Sequence, residues 1–370
     1  MWGQLQYLQQ QAVNIHIVAI RSLAVRAKFP NEPELTSSLP HRVSFISMTD
    51  RWVGETDEPV VRSLQAIVDE EQPDIIWSVY ADFAPLLAEI DTHAKLVLRP
   101  INFELGHYVE KRMTDNGLMK GTWRLRFFRW RQFLSSHWRL LWRIYQAERT
   151  MFQIADYVLH IGWRDKQVMG HLYRSKVQRC WVPPLIEAPK IPVKQRPCLH
   201  VLYLGSTFHY VVNRIGAEKL IEEIIPAVTD AMPDAFHFHI VGRYGQDYFQ
   251  NDQHTTIYGF VDDLEAFLQD MDIACIPVET GWGCKLKMLD SIARGLPVIG
   301  AKQTFRGVMP VDDVYFACET LQEYIDAFAS LRDDAIREQL SLRGIRTYER
   351  WRGEATRTID RILSEIESNP

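Results

Sequence analysis

The segment that most constrains the fold lies at residues 272–301 and reads DIACIPVETGWGCKLKMLDSIARGLPVIGA. It predicts a buried strand at Ile273–Pro277, a Gly-Trp-Gly turn at residues 281–283 and a helix that follows at once. Gly295 is suited to end that helix, and a second strand is predicted at Pro297–Gly300. A strand, a helix and another strand in close succession form a βαβ unit, which requires a parallel sheet.

The same alternation of short apolar runs and amphipathic stretches continues along most of the chain, which predicts an α/β class. Further strands are predicted at Ile15–Ile20, Val43–Ser47, Ile75–Val79, Leu96–Leu98, Tyr157–His160, His200–Ser206, Phe236–Val241 and Thr256–Gly259. Helices are predicted at Glu58–Glu71, from about Arg131 to Gln153, at Gly216–Met232, at Leu264–Gln269 and, as one long helix or a pair, from about Asp333 to Glu367.

The chain has 370 residues, which fits two domains better than one core. Five prolines fall within the eighteen residues 181–198 without a helical or strand period, so this stretch predicts a connection between domains. We therefore expect a first domain at residues 1–184, a linker at 185–198, and a second domain at 199–332. The closing helices, at residues 333–370, are expected to pack back toward the first domain.

The start of the chain is unusual for a doubly wound domain, which opens with a strand and a glycine-rich turn. Helical spacing links four apolar residues: Trp2, Leu5, Leu8 and Ala12. The chain thus begins inside a helix, with Ile15–Ile20 in the place of the second strand. The sequence predicts either a first domain that lacks its first βα unit or a true start that lies upstream.

Composition excludes several classes of protein. Hydrophobic residues make up 46% and charged residues 24% of the chain, which is typical of globular rather than disordered or fibrous proteins. No stretch approaches the ~18 consecutive apolar residues that span a bilayer, and the start has no leader pattern. The five cysteines form no CxxC pair and predict neither a zinc site nor a disulfide framework. We expect a cytoplasmic protein, with peripheral association at the inner face of a membrane as an option.

Positive charge is concentrated in the first half. Up to residue 190 the chain has 24 Lys and Arg against 20 Asp and Glu, and beyond it 18 against 27. Residues 120–149 contain Lys120, seven arginines and four tryptophans, with Glu148 as the only acid. Arginine and tryptophan suit a membrane surface, and a lipid-linked acceptor would fit it. The alternative is that Trp130, Trp138 and Tyr145, about two helical turns apart, pack on the core. Nucleic acid is not expected as a partner.

The predicted helix after the Gly-Trp-Gly turn starts at the carboxyl edge of the sheet, where its N–H groups and dipole favour an anion. Lys285 and Lys287 add positive charge, and Asp290 lies one turn beyond and could bind ribose hydroxyls. The alternative is an ordinary βα turn with solvated lysines. Two more strand ends carry glycines, at residues 205–206 and 242–243, and favour a ligand that lies across this edge.

These residues resemble the donor domain of retaining family 4 glycosyltransferases, including bacterial polysaccharide enzymes. The resemblance runs through residues 201–243, 257–300 and the closing helices; it covers 199–365 clearly and 70–190 more loosely. It implies a GT-B fold of two Rossmann-like doubly wound domains that face a cleft. It also implies a set of donor-binding residues: Gly205, Ser206, Asn213, Gly242, Arg243, Phe260, Val261, Gly281, Trp282, Gly283, Lys285, Lys287 and Asp290.

The family often has two glutamates separated by seven residues, and this chain departs from that pattern. Asp290 matches the second position, Trp282 stands at the first, and Glu279 lies three positions earlier. Members with a GxGxKxKxLE version of the motif also lack the first glutamate. In the first half, LRPINFELGHYVEKR resembles the family's HNxE segment, with Ile101 in place of histidine. The candidate catalytic residues are Asn102, Glu104, His107 and Glu279; an ordinary polar loop is the alternative for the first three.

The resemblance implies transfer of a sugar from a UDP- or GDP-sugar co-substrate, with retention and without metal or another cofactor. Helix dipole and cationic side chains would stabilise the leaving diphosphate. The acceptor is expected to be a glycan or a lipid-linked molecule in polysaccharide or glycoconjugate synthesis. A second hypothesis is a catalytically degenerate GT-B protein that binds a nucleotide sugar or a partner in a polysaccharide assembly complex. No motif favours a sugar-nucleotide epimerase.

Overall fold

The structure is a computed structural model that describes residues 7–8, 15–22, 42–48, 57–115, 123–311 and 313–368. Most of the helix expected at the start of the chain lies outside these ranges. The chain divides into two compact units. The first contains residues 1–161, 165–182 and 358–370, and the second contains residues 162–164 and 183–357. Within the described ranges, no helix is long and apolar enough to cross a bilayer.

The elements up to residue 182 alternate strands and helices. In chain order they are β1 (His16–Ser22), β2 (Arg42–Met48), α1 (Glu58–Glu71), β3 (Ile75–Val79), α2 (Ala84–Leu87), β4 (Lys95–Arg99), α3 (Glu104–Asp115), α4 (Trp123–Ile154), β5 (Tyr157–His160), α5 (Trp163–Leu172) and β6 (Gln178–Trp181). β1 and β2 form a parallel pair, and β3-β4-β5-β6 form a parallel four-stranded sheet. Among the described residues, no strand joins β1 to β3.

Helix α1 shows how the sequence produces these elements. Pro59 stands in its first turn, where a missing N–H costs nothing, and Gln72 ends it in the left-handed region with φ 44°. Val60, Leu64 and Val68 recur every four residues and are buried. The helix predicted at Glu58–Glu71 and the strands predicted at Ile75–Val79 and Tyr157–His160 have these bounds in the structure.

The second unit contains one six-stranded sheet. Its elements are β7 (Leu199–Thr207), α6 (Val211–Lys219), a π-helical turn (Leu220–Ile224), α7 (Ile225–Ala231), β8 (Phe236–Arg243), β9 (Thr255–Tyr258), α8 (Leu264–Leu268), β10 (Ile273–Ile276), α9 (Leu286–Arg294), β11 (Val298–Ala301), β12 (Tyr315–Cys318), α10 (Leu321–Ser330) and α11 (Asp334–Ser368). The strand order is β12-β11-β10-β7-β8-β9, and every pair is parallel. The predicted α/β class, with parallel sheets in two Rossmann-like units, is confirmed.

The order of strands reverses between β7 and β10. The chain builds β8 and β9 on one side of β7, then returns to build β10, β11 and β12 on the other. Ligands of open α/β sheets bind outside the carboxyl ends of the strands at such a switch point. Helices α6 and α9, which follow these two strands, therefore begin where a ligand is expected.

The structure differs from the sequence predictions in several details. The helix expected at Gly216–Met232 starts at Val211 and includes a π-helical turn. Of the two arrangements expected for the final segment, the structure has the single long helix, α11. No helix or strand lies between residues 182 and 198, and within this stretch Leu185 and Ile191 are buried.

Candidate donor-binding site

The Gly-Trp-Gly turn has the backbone geometry that its glycines allow. Gly281 and Gly283 have φ 94° and 80°, a region that L side chains rarely adopt. Lys285 is the N-cap residue of α9, and its Nζ donates to the Gly281 carbonyl oxygen at 2.8 Å. The lysine thereby fixes the turn from which α9 starts.

Lys287 lies in the first turn of α9 and contacts Asn213 of α6 and Tyr203 of β7. Its Nζ donates to Asn213 Oδ1 at 3.0 Å and lies 4.5 Å from the centre of the Tyr203 ring. Asn213 is held in turn, since its Nδ2 donates to the Thr207 carbonyl oxygen at 3.1 Å. Burial, and then the neighbouring Lys285, lowers the pKa of Lys287 to about 7. The switch point thus holds an ammonium group whose charge a bound anion would stabilise.

Asp290 belongs to an ion-pair network on the same helix. Its Oδ2 accepts from Arg294 Nε at 3.0 Å, and the Arg294 guanidinium also donates to both carboxylate oxygens of Glu265, at 2.5 and 2.7 Å. Arg294 is buried. The network fixes the Asp290 carboxylate, and neither Arg294 nor Glu265 was among the predicted site residues.

The glycines at the ends of β7 and β8 surround a side chain of the protein itself. The Phe208 ring is fully buried. A Cβ atom on Gly205 would lie 3.0 Å from this ring, and one on Gly242 would lie 2.8 Å from the ring and 2.3 Å from the Gly205 carbonyl oxygen. A Cβ on Gly245 would lie 3.3 Å from the same ring. These three glycines form a socket for Phe208, a packing role that the sequence does not reveal.

The other predicted donor residues are exposed or half-buried. Phe260 is 65% exposed, and the Arg243 guanidinium lies 5.0 Å from the centre of its ring. Val261 and Ser206 are also open to solvent in part or in full. The Trp282 ring lies 5.1 Å from the Arg164 guanidinium. These side chains leave the carboxyl edge of β8 and β9 accessible.

Glu279 forms an ion pair with Lys219. Its side chain is 54% exposed, and that of Lys219 is 19% exposed. The structure thus places this candidate catalytic carboxylate in contact with a cation of α6.

In the first unit, buried acids hold the loop between β4 and α3. Glu148 Oε1 accepts from the Glu104 backbone N–H at 2.7 Å, and Asp165 Oδ2 accepts from the Phe103 backbone N–H at 3.2 Å. Tyr173 donates to Glu148 Oε2 at 2.5 Å. Because Glu148 and Asp165 are both buried, they fix the start of α3, which carries the predicted site residues.

Among those predicted residues, Asn102 and Glu104 are in contact. Asn102 Nδ2 donates to Glu104 Oε1 at 3.3 Å, and burial together with the nearby Asp82 carboxylate raises the pKa of Glu104 to about 7. His107 lies one turn further along α3, where its backbone N–H donates to the Phe103 carbonyl oxygen. Burial also raises the pKa of Glu148, to about 8. The carboxyl edge of the first unit therefore carries acids that titrate near neutral pH.

Helix α4 tests the interpretation of residues 120–149 in which the aromatic side chains pack on the core. Residues 120–122 lie outside the described ranges. Phe133 and Ile144 are buried, whereas Trp138 is 56% and Trp142 is 54% exposed. At 100° per residue the two indoles lie on the side of α4 opposite the buried pair. The expectation that Trp138 packs on the core is wrong, because the apolar face of α4 is formed by other residues.

No metal-binding group of three or more His, Cys, Asp or Glu side chains occurs in the described part of the chain.

Comparison with known proteins found one matching family model and several solved structures of similar fold. Residues 199–334 match the family model of group 1 glycosyl transferases. A sucrose-phosphate synthase from Thermosynechococcus elongatus is similar in structure, with a TM-score of 0.58 and 13% identity over 96% of this chain and 100% of that one. HepE from Anabaena, solved with UDP and glucose, has a TM-score of 0.59 and 11% identity over 96% of this chain and 99% of that one.

A TarM variant from S. aureus, solved with fondaparinux, alpha-GlcNAc-glycerol and UDP, is also similar. Its TM-score is 0.57 with 10% identity over 83% of this chain, and the chain spans 58% of its length. No curated protein sequence matches the chain significantly. At these identities the structural likenesses show the GT-B fold. Together with the match of residues 199–334, they support a GT-B glycosyltransferase.

Proposed function

We propose that the chain transfers a sugar from a UDP- or GDP-sugar to a glycan or lipid-linked acceptor, with retention and without a metal ion, as retaining family 4 enzymes do. The observation that carries the proposal is Lys287, a half-buried ammonium in the first turn of α9 at the switch point of the sheet. A departing nucleoside diphosphate gains negative charge. An ammonium and the N–H groups of a helix N-terminus stabilise that charge.

In this proposal residues 199–332 form the donor domain and residues 1–184 the acceptor-side domain, with residues 185–198 between them and 333–370 as the closing segment that contains α11. Asn213 positions Lys287, Lys285 fixes the phosphate-binding turn, and Asp290 binds the ribose. The bond from the anomeric carbon to the phosphate oxygen breaks as the acceptor oxygen attacks. The acceptor hydroxyl loses its proton as its oxygen attacks, and Glu104, whose pKa is raised to about 7, is the group that we assign to receive that proton.

The outward face of α4 supports a membrane-associated role in polysaccharide or glycoconjugate synthesis. No Asp or Glu occurs between residues 131 and 147, which contain three arginines. Arg139 lies 5.6 Å from the centre of the Trp138 ring, beside the equally exposed Trp142. Exposed indoles flanked by arginines suit the interface of an anionic bilayer. We therefore propose that the chain binds a membrane surface through residues 120–149.

The second candidate function is donor binding without turnover. The observation that favours it is the ion pair between Glu279 and Lys219, together with Trp282 at the place of the family's first glutamate. A chain of this kind would hold a nucleotide sugar, or a partner, within a polysaccharide assembly complex.

A panel of nucleotide sugars tests both functions. Release of UDP or GDP is measured with the wild type, Lys287→Ala and, as a control, Lys176→Ala, which removes an exposed lysine of the first unit. Multiple turnovers that require Lys287 and not Lys176 would support the transferase. Binding without release in the whole panel would favour the second candidate. No binding at all would refute the transferase and also the second candidate as a nucleotide-sugar binder.

A further inference from the structure

The start of α3 is held by side chains from two other helices. The first N–H groups of a helix have no partner within it, and an oxygen of the preceding side chain often accepts one of them. That preceding residue is Phe103, which has no such oxygen. Instead, Asp165 of α5 accepts from the Phe103 N–H at 3.2 Å. Glu148 of α4 accepts from the Glu104 N–H at 2.7 Å and also from the N–H of Leu105. The packing of α4 and α5 therefore sets the position of this turn.

Tyr173 holds the second oxygen of the Glu148 carboxyl group. It directly follows α5, is 5% exposed, and donates its hydroxyl proton to Glu148 Oε2 at 2.5 Å. Its ring packs against two aromatic rings of α4, with ring centres 5.5 Å from Tyr145 and 5.3 Å from Phe152. Tyr145, Glu148 and Phe152 have the spacing of one helix face. A single face of α4 thus supplies both the carboxyl group and the rings that orient its partner.

Glu148 interacts with Glu104 but is shielded from any substrate. It is 1% exposed, whereas Glu104 is half-buried at the carboxyl edge of the first sheet. Burial is the largest cause of the raised pKa of Glu148. Hydrogen bonds from Tyr173 and from the Glu104 N–H lower that pKa, and the charge of Glu104 raises it. Glu148 can therefore influence a reaction at this edge only through its neighbour.

We propose that Glu148 and Tyr173 are positioning residues of the transfer reaction, which hold the first turn of α3 so that the Glu104 carboxylate meets the acceptor hydroxyl. This inference rests on the proposed function, because it requires Glu104 to receive the acceptor proton. A displacement of about 1 Å at a reacting group can lower a rate about 100-fold. The pair acts through geometry, so a neutral side chain with an oxygen in the same place replaces Glu148.

The test separates position from charge at residue 148. Glu148→Leu removes both acceptor oxygens, whereas Glu148→Gln keeps an amide oxygen for the Glu104 N–H. Tyr173→Phe keeps the ring and loses the hydroxyl. The control Ser175→Ala removes a hydroxyl that donates to the Phe152 carbonyl oxygen of the same helix. Release of UDP from UDP-glucose and of GDP from GDP-mannose is measured with octyl glucoside and maltotriose as acceptors. Hydrogen–deuterium exchange reports the backbone N–H groups at the start of α3.

We expect Glu148→Leu to lower kcat about 10- to 100-fold and Tyr173→Phe about two- to tenfold. The donor KM and the Kd of UDP should not change, because the donor lysines belong to the second unit. Glu148→Gln should keep kcat within about threefold of the wild type, and Ser175→Ala within about twofold. Exchange at the start of α3 should be faster in Glu148→Leu and near the wild-type rate in Glu148→Gln.

Several results would overturn the positioning role. Equal loss of kcat in Glu148→Leu and Glu148→Gln would assign the effect to charge. Faster exchange with a wild-type kcat would mean that the pair holds α3 without a part in the reaction. A donor KM that changes in parallel with kcat would indicate general damage to the fold. If Glu148→Leu does not fold, an unchanged kcat in Tyr173→Phe would refute the proposal. If the wild type releases neither nucleotide, the proposed function fails and the positioning role with it.

Discussion

The pKa of Lys287 makes donor binding depend on pH. The ordinary pKa of 10.5 falls to about 7 in the folded chain, so about half of the molecules carry this charge at pH 7. A bound diphosphate favours the charged form and raises the pKa again. Binding therefore takes up a proton, and affinity for UDP should fall as the pH rises above 7.

The magnitude follows from this pKa. If the pKa of Lys287 in the complex exceeds 9, the Kd of UDP should rise about 25- to 50-fold between pH 7 and pH 9, with the larger value for a pKa well above 9. The terminal phosphate of UDP does not contribute, because phosphate monoesters complete their ionisation near a pKa of about 6. Loss of one charge-assisted hydrogen bond costs about 1.5–3 kcal/mol, so Lys287→Met should bind UDP about 10- to 150-fold more weakly at pH 7.

The same substitution should stabilise the fold. Because the folded pKa is below that of the unfolded chain, the unfolded chain binds more protons between pH 7 and 10.5, and wild-type stability rises with pH in that window. Methionine has no charge to lose on folding. Lys287→Met should therefore have a higher melting temperature than the wild type at pH 7, and its free energy of unfolding should be larger by at most about 4 kcal/mol.

Calorimetry from pH 7 to 9 on the wild type, Lys287→Met and the control Lys176→Met measures the first effect, and thermal melts measure the second. A wild-type affinity that does not change with pH would refute the reasoning. So would a Met variant that keeps the wild-type slope.

Three further predictions concern other parts of the chain. The double variant Trp138→Ala/Trp142→Ala should reduce co-sedimentation with phosphatidylcholine–phosphatidylglycerol vesicles at least about tenfold. The control variant Leu342→Ala, which removes another exposed apolar side chain, should not reduce it. Equal binding by the wild type and both variants would contradict the membrane role. The raised pKa of Glu104 means that wild-type stability falls as the pH rises from about 4.5 toward 7. The stability gained by Glu104→Gln should therefore be larger at pH 8 than at pH 5, by about 2–3 kcal/mol. Urea titrations that give the same difference at both pH values would exclude this. Burial and, after it, the neighbouring histidines lower the pKa of His239 to about 3. Wild-type stability should therefore fall as the pH drops from about 6.5 toward 4. In urea titrations His239→Gln should lose less stability than the wild type over that interval, and equal losses would argue against His239 as the cause.

Local patterns in the sequence predicted much of the fold. Val60, Leu64 and Val68 define the buried face of α1 through spacing alone, and its start is marked by Pro59. The turn at residues 281–283 was predictable because glycines there adopt conformations that other residues avoid. Each of these features depends on neighbours within a few residues of the chain.

Features that depend on distant residues could not be predicted. The sequence gives no means of knowing that Gly205 and Gly242 face an aromatic ring, because the ring comes from the loop between them and the two strands must pair first. The raised pKa of Glu148 likewise depends on burial, which only tertiary packing creates. For Trp138, helical spacing defined two possible faces, and the structure decides which one faces solvent.

The glycine socket has a consequence for how variation in this chain would be interpreted. At Gly242 the nearest obstacle to any side chain is a backbone carbonyl oxygen, that of Gly205, so a smaller residue at position 208 could not relieve the clash. A survey of natural or random variants would therefore find position 242 as intolerant as a catalytic residue. Intolerance to substitution at this sheet edge reflects the closeness of two strands, and it should not be counted as evidence for contact with a substrate.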